Sequence, residues 1–383
     1  MPYVTLKKQA WFKQMSLDDV LAGIDDIKPY IVPHGGGAST RTYYTKWIKP
    51  ELRAKLDIDS LIRMFKAFNV VHADLFREDM QSLYHSFHIP KKSGGFRRID
   101  APCDELMEAL RELKKIMEVQ CGALYHTSAY AYVPGRCSVD AIKRHQYNES
   151  KWFLKTDFSD FFGSTTPEFV EQQLKEIYPF CEIMKHNEGR QALLKSLSLC
   201  FLNGGLPQGT PISPMLTNLV MIPIDFELSN TLRDYKPMKK NFVYTRYADD
   251  IQITCKYNFK FMEIVEYINE VLRKHNAPFT IKAKKTRYGS TAGSNWNLGL
   301  MLNKDNEITV GHRVKRQFKA ALCNYIMDKK NGKDWALEDV QILTGKMSYY
   351  KMVEPDYVKY VLEHYSEKFG MDVAEAIKED LRK

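Results

Sequence analysis

The stretch Tyr244-Thr245-Arg246-Tyr247-Ala248-Asp249-Asp250, running on into Ile251-Gln252-Ile253-Thr254-Cys255, decides the fold. Phe242 to Tyr247 and Ile251 to Cys255 are rich in β-branched and aromatic residues, so they read as two strands with Ala248-Asp249-Asp250 at the hairpin turn between them. Adjacent carboxylates at a turn repel each other unless a cation or a proton neutralises them. A third acid has a comparable setting: Lys151 to Thr156 is a short, largely apolar strand that runs into Asp157, and Phe161-Phe162-Gly163 breaks the pattern just beyond it. If the two strands are sheet neighbours, the oxygens of Asp157 and Asp249 can hold two Mg2+ ions, or Mn2+ in their place, roughly 3.5 to 4 Å apart. That arrangement clamps the attacking and leaving oxygens of a phosphoryl transfer.

Upstream, Ser86 to Pro90, the basic glycine turn Lys91 to Gly95 and Phe96 to Asp100 read as strand, tight turn and strand, a hairpin with a cationic tip. Cys103 to Val119 reads as a helix. Gly204 to Pro214 is dense in Gly and Pro, and Ser213 followed by Pro214 reads as the N-cap and first position of a helix through Leu216, Leu219 and Val220. Past Asn303 the pattern is helical, with Val314, Phe318, Leu322 and Tyr325 spaced along one face. Residues 1 to 80 read as a helical extension, interrupted at Gly35 to Gly37 by a loop that lacks a P-loop's Gly-Lys-Ser/Thr ending and reads as a hinge or linker. Three spans follow: 1–80, 81–302 and 303–383.

The chain has 383 residues, enough for two or three domains, and 44% hydrophobic residues, which excludes a disordered tail. Its net charge of +9 is concentrated in three clusters: Lys91, Lys92, Arg97 and Arg98; Lys282, Lys284, Lys285 and Arg287; and Arg313, Lys315, Arg316 and Lys319. Together with 22 Tyr and 20 Phe, these suit a groove that tracks a nucleic-acid backbone. The seven cysteines are odd in number and never spaced CxxC, so neither a disulfide framework nor a zinc site is expected. No apolar run is long enough to span a membrane and the start carries charges where a signal peptide is apolar, so a cytoplasmic protein with no membrane partner is expected.

Each feature has an ordinary reading on its own, since Asp-Asp at a hairpin is common turn chemistry and a basic hairpin is often just solvated. Their order is what is specific. Six segments resemble reverse transcriptases of the bacterial retron and defence-associated type: Ser86 to Pro102, Lys155 to Phe162, Gly205 to Leu219, Tyr244 to Asp250, Ala283 to Thr286 and Asn297 to Leu300. The resemblance implies an α+β, right-hand polymerase architecture. Fingers and palm, with an antiparallel sheet packed on helices, would take 81–302, and a helical thumb and tail 303–383. It implies RNA-directed addition of dNTPs to a 3′-hydroxyl. Asp157, Asp249 and Asp250 resemble the catalytic carboxylates, and the Phe158 carbonyl a further metal ligand. Phe162 resembles the gate that excludes a ribose 2′-hydroxyl, and Gln208 and Gly209 the lining of the nucleotide pocket. Lys91 and Arg97 resemble the residues that grip the triphosphate, and Lys285 a lysine that assists pyrophosphate departure. Lys92, Arg98, Leu298, Gly299, Arg313, Lys315, Arg316 and Lys319 are assigned to nucleic-acid binding.

Two departures stand out. In place of the retron signature NAxxH the chain has Asp140-Ala141 with His145 one position late, and in place of VTG it has Thr309-Val310-Gly311. The implied partners are a dedicated noncoding RNA as template or scaffold, the DNA product, dNTPs, and an effector protein or further copies of the chain, with antiphage defence as the implied setting. An untemplated or protein-primed terminal transferase using the same site is the alternative enzyme. An RNA-binding scaffold with a vestigial site is disfavoured by the intact acids, and an RNA-directed RNA polymerase by the bulk of Phe162.

Overall fold

The computed structural model describes residues 57–91, 94–121, 125–234, 242–292 and 298–382. The Gly35 to Gly37 loop and Lys92 lie outside the described residues. In chain order the elements are α1 (Ile58–Val71), β1 (Tyr84–Pro90), β2 (Phe96–Pro102), α2 (Asp104–Cys121), α3 (Ser138–Tyr147), β3 (Trp152–Asp157), α4 (Pro167–Leu174), α5 (Phe180–Ile183), α6 (Asn187–Ser198), α7 (Ser213–Val220) and α8 (Ile222–Asp234). They continue with β4 (Val243–Tyr247), β5 (Asp250–Cys255), α9 (Phe261–Lys274), β6 (Arg287–Ser290), β7 (Met301–Leu302), β8 (Ile308–Thr309), α10 (Gly311–Lys330), α11 (Leu337–Val353), α12 (Pro355–Phe369) and α13 (Val373–Arg382).

Two compact units divide the described chain. One takes the described residues up to Cys137 with Lys155–Ile253 and Lys260–Arg287; the other takes Ser138–Leu154, Thr254–Phe259 and the described chain from Tyr288 onward. A four-stranded sheet has the order β4-β5-β3-β6, so the strand ending at Asp157 lies beside the strand beginning at Asp250. The basic hairpin is formed by β1 and β2, antiparallel from Tyr84↔Pro102 to Pro90↔Phe96. Its turn is closed by Lys91 N–H donating to Gly95 O at 2.9 Å.

In the first unit α7 and α8 are core helices. Leu216, Leu219, Val220, Ile222, Ile224 and Leu228 are fully buried. Each such fully buried apolar side chain contributes about 1.5–3 kcal/mol. Ser213 is the first residue of α7 and not its N-cap. Its N–H donates to Thr210 Oγ1 at 3.3 Å, so the cap-like oxygen comes from the threonine of the preceding loop.

In the second unit α10 to α13 enclose Phe318, Leu322, Tyr325, Ile326, Val340, Leu343, Val361, Val373 and Ile377. The apolar face expected on α10 is there, except that Val314 is only half-buried. The displaced His145 is wholly enclosed on α3, its Nδ1 2.8 Å from Thr254 Oγ1. Burial, with Arg144 adding repulsion, pushes its pKa down to about 3. The unfolded chain therefore takes up this proton first as pH falls. The neutral imidazole's contribution is complete above the ordinary value of 6.5 and is lost progressively between there and about pH 3. His145→Gln is expected to be less stable at pH 7 but to show a flatter loss of stability between pH 6.5 and 4, measured by denaturant titration across that range.

Candidate active site

The site lies in the first unit and is assembled from backbone before side chains. Phe158 N–H donates to Asp249 O at 3.1 Å, and Lys282 N–H donates to Asp157 O at 2.9 Å. These two bonds bring the end of β3, the β4–β5 turn and the segment before β6 to one point. Behind it, Phe158, Phe161 and Phe279 are buried, with ring centroids 4.9–5.6 Å apart. The Phe158 ring thus anchors the strand end in the core, while its carbonyl accepts from Lys282 Nζ at 2.9 Å.

Asp157 is almost fully buried, and its Oδ2 accepts from Lys282 Nζ at 3.0 Å and Lys285 Nζ at 2.7 Å. Its Oδ1 is also buried and has no hydrogen-bond partner. A buried carboxylate oxygen left unpaired is costly, so Oδ1 is a ready acceptor for a cation. Asp249 and Asp250 are half-buried. Burial raises the pKa of Asp250; Lys155 opposes the rise, while Asp249 and Asp157 add to it. The hydrogen bond to Asp157 raises the pKa of Lys285, and Asp249 and Asp250 act in the same direction. Asp250 therefore feels both of the other carboxyls. Among the described residues no three His, Cys, Asp or Glu side chains form a ready-made metal cage. The buried charge of Asp157 is instead met by the two lysines.

Lys285, expected near the leaving pyrophosphate, is thus held on Asp157. Lys282 was not singled out by sequence, yet it contacts both Asp157 Oδ2 and, at 2.9 Å, the Phe158 carbonyl expected to face a metal. Lys282 is the N-cap and Lys285 the last residue of a 3-10 turn, Ala283–Lys285, in which residues three apart eclipse, so both ammonium groups reach the same acid. Lys155 is the other omission: two residues before Asp157 on a strand, it shares that residue's face.

Phe162 is half-buried, its ring edge-on to Phe161 at 5.8 Å, and its carbonyl accepts from Leu206 N at 3.0 Å. Asp100 N–H donates to Gln208 O at 2.8 Å. A Cβ at Gly209 would lie 2.7 Å from Asp100 O, so only glycine permits this approach of the loop to β2. Phe162, Gln208, Gly209 and the base of the basic hairpin are therefore joined. Lys91 and Arg97 are exposed on that hairpin. Burial raises the pKa of Tyr132, with Asp249 and Tyr247 adding to the rise and Arg97 countering it, which places Arg97 and the acidic turn in one electrostatic neighbourhood.

The residues assigned to nucleic acid are placed less uniformly. Arg98 pairs with Asp100 at 2.7 Å while remaining half-exposed. Leu298 and Gly299 form a turn ahead of buried Leu300. In α10, Arg313 and Arg316 are exposed, and Lys319 lies over the rings of Tyr357 and Tyr360. Lys315 departs from the expectation of a backbone-tracking cation. It is paired with Glu354 and stacked 4.7 Å from the Tyr357 ring, because the amphipathic face turns it toward α12.

A profile of the family described as Reverse transcriptase (RNA-dependent DNA polymerase) matches residues 89–319. Among curated proteins, the chain is 26% identical over 304 residues to the retron Ec83 reverse transcriptase of Escherichia coli, covering 77% of this chain and 89% of that one. It is 28% identical over 285 residues to the retron Ec73 reverse transcriptase of the same organism, covering 73% and 86%. Among solved structures it aligns with telomerase from Candida albicans in complex with a fragment of telomeric RNA, at a TM-score of 0.43 and 14% identity, over 82% of this chain and 63% of that one.

Proposed function

The chain belongs to the reverse transcriptase (RNA-dependent DNA polymerase) family, and from that premise we propose that its DNA synthesis is carried out at Asp157, Asp249 and Asp250. It is a retron-type nucleotidyltransferase with the α+β, right-hand polymerase fold. The observation that carries the site assignment is the buried, unpartnered Asp157 Oδ1 beside a turn bearing two further carboxyls. Hard anionic oxygens in this setting fit divalent cations. Asp157 and Asp249 would hold two Mg2+, with Asp250 and the Phe158 carbonyl beside them. When bound, the ions supply neutralisation of triphosphate charge and acidification of the primer 3′-hydroxyl.

The remaining roles fall to the chain's own groups. Lys282 and Lys285 hold Asp157 Oδ2 and so orient the carboxylate. Lys91 and Arg97 draw the β and γ phosphates toward the acids. Gln208 and Gly209 line the nucleotide pocket, and the Phe162 ring stands against a ribose 2′-hydroxyl. Rejection of one added hydroxyl by an apolar wall is worth on the order of 10²-fold. Phe162→Ala is therefore expected to raise rNTP use relative to dNTP use by roughly 10- to 100-fold, read from competitive single-nucleotide incorporation. An unchanged ratio would remove Phe162 from the gate.

We further infer fingers and palm in residues 81–302, a thumb in 303–383, a dedicated noncoding RNA as template and a role in antiphage defence. The last two rest on the resemblance to retron enzymes alone, the relatives being retron reverse transcriptases by name. The test is to purify the chain with its bound RNA, supply dNTPs and Mg2+, and sequence RNA and product together. A single RNA whose complement appears as DNA is the expected result; DNA unrelated to any bound RNA would favour untemplated synthesis.

A further inference from the structure

Directly behind the catalytic turn, a guanidinium with no exposed surface is held in a fork by an equally enclosed carboxylate. Arg246 Nε donates to Asp225 Oδ1 at 2.9 Å and Nη2 to Asp225 Oδ2 at 2.7 Å. Tyr244 OH also donates to Asp225 Oδ1, at 2.7 Å. The fork leaves Nη1 free to point elsewhere, and it donates to Ala248 O and Asn218 Oδ1, both at 3.1 Å. Resting on the assignment of Asp249 and Asp250 above, we propose that Arg246, oriented by Asp225, is a positioning residue that fixes the catalytic turn through the Ala248 carbonyl.

Ala248 has φ +56°, in the left-handed region that residues with a side chain avoid. Such a conformation persists where the surroundings over-determine it. The surroundings here are specific. Asp249 O is held by Phe158 N–H just past β3, and Ala248 O by Arg246 from β4. The main chain of Arg246 is tied as well, its N–H donating to Ser128 O at 2.7 Å and its carbonyl accepting from Tyr130 N at 2.9 Å. The arginine therefore cannot shift toward or away from the turn without breaking bonds to α8 and to the 128–131 segment. A pair serving the fold alone would be replaceable by apolar residues of similar volume. A pair that aims a third donor at the turn would not.

The test uses the full chain on a primed RNA template, with Arg246→Lys and the double variant Arg246→Met/Asp225→Leu. Lysine keeps the charge against Asp225 but lacks the planar fork that also reaches Ala248. The double variant leaves no buried charge unpaired. Both are expected to fold, to keep the dNTP KM within about threefold because the triphosphate-gripping residues lie on other elements, and to lose kcat by roughly 10²-fold, the scale of a misplacement near 1 Å. Amide hydrogen exchange at Tyr247 to Asp250 is expected to accelerate while that of α9 stays unchanged. Parental kcat in either folded variant would overturn the proposal, as would unfolding of both, which would make the pair a requirement of the fold. If the parent is active and Asp249→Asn is also active, the site assignment fails first. If Asp249→Asn is dead and Arg246→Lys is not, this inference alone fails.

Discussion

Asp249→Asn is expected to lower DNA synthesis by at least about 10³-fold while leaving RNA binding and melting temperature close to the parent's. The expectation follows from what the substitution removes and what it keeps. Asparagine preserves size, and the bond that seats the turn, from Phe158 N–H to the residue 249 carbonyl, is made by backbone. The lost negative charge is the one that would hold a divalent cation against a developing alkoxide, and removing a single preorganised electrostatic contact of that kind costs 10²–10³-fold or more. The fold should not suffer, because Asp249 is one of the charges that raise the pKa of Asp250, after the larger effect of burial. An acid with a raised folded pKa stabilises the folded chain as pH falls from above that pKa toward the unfolded value of 3.8. Without Asp249 that gain should shrink, so metal-free Asp249→Asn should gain less stability as pH falls toward 3.8. A primer-extension time course with filter binding and thermal melting on the same preparation checks all three points.

Gly205→Ala is expected to destabilise the first unit by more than about 3 kcal/mol and to lower activity sharply in whatever fraction folds. A Cβ at Gly205 would stand 2.0 Å from Gly163 O, 2.7 Å from Gly163 C and 2.8 Å from Gly163 Cα. These are backbone atoms, so no side-chain rotation relieves the overlap, and effects of this size come from a short list of mechanisms that includes forced backbone displacement. The overlap falls where the chain can least absorb it. Leu206 N–H donates to Phe162 O at 3.0 Å, and Leu202 and Gly205 exchange bonds of 2.9 and 3.2 Å. Moving residue 163 away from residue 205 shifts Phe162 and the Gln208 loop apart, and with them the two sides of the nucleotide pocket. Denaturant unfolding gives the stability; rNTP discrimination in any residual activity should be weakened, since the gate residue is displaced along with the pocket wall.

The parts of this site that could be read from sequence are those whose information is local. β-branched runs on both sides of Ala248-Asp249-Asp250 fix two strands and a turn, and an apolar run ending at Asp157 fixes a third strand end. The text from Gly204 to Pro214, dense in Gly and Pro, marks a loop feeding a helix, whereas the close backbone approach at Gly205 and Gly209 appears only in the structure. What could not be read depends on pairing across distance. Asp225 lies on a helix with apolar neighbours and nothing near it in the chain indicates Arg246 as its partner. Lys282 reads as one of four basic residues in a run, and only the 3-10 turn that it caps and Lys285 ends brings both to Asp157. Lys315 has the charge of a phosphate contact, yet Glu354, at the junction of α11 and α12, and Tyr357 on α12 engage it. The division into two discontinuous units is hidden for the same reason, because β3 and β5 each contribute residues to both.

The most direct test of the carboxylate site is anomalous diffraction from crystals of the chain with a chain-terminated primer on RNA, the next dNTP and Mn2+. Two manganese peaks roughly 3.5 to 4 Å apart, one of them on Asp157 Oδ1 and both within reach of the Asp249 carboxylate, are the predicted result. A bound dNTP with no peak between Asp157 and the Tyr247 to Asp250 turn, and Asp157 still engaged only by Lys282 and Lys285, would contradict it.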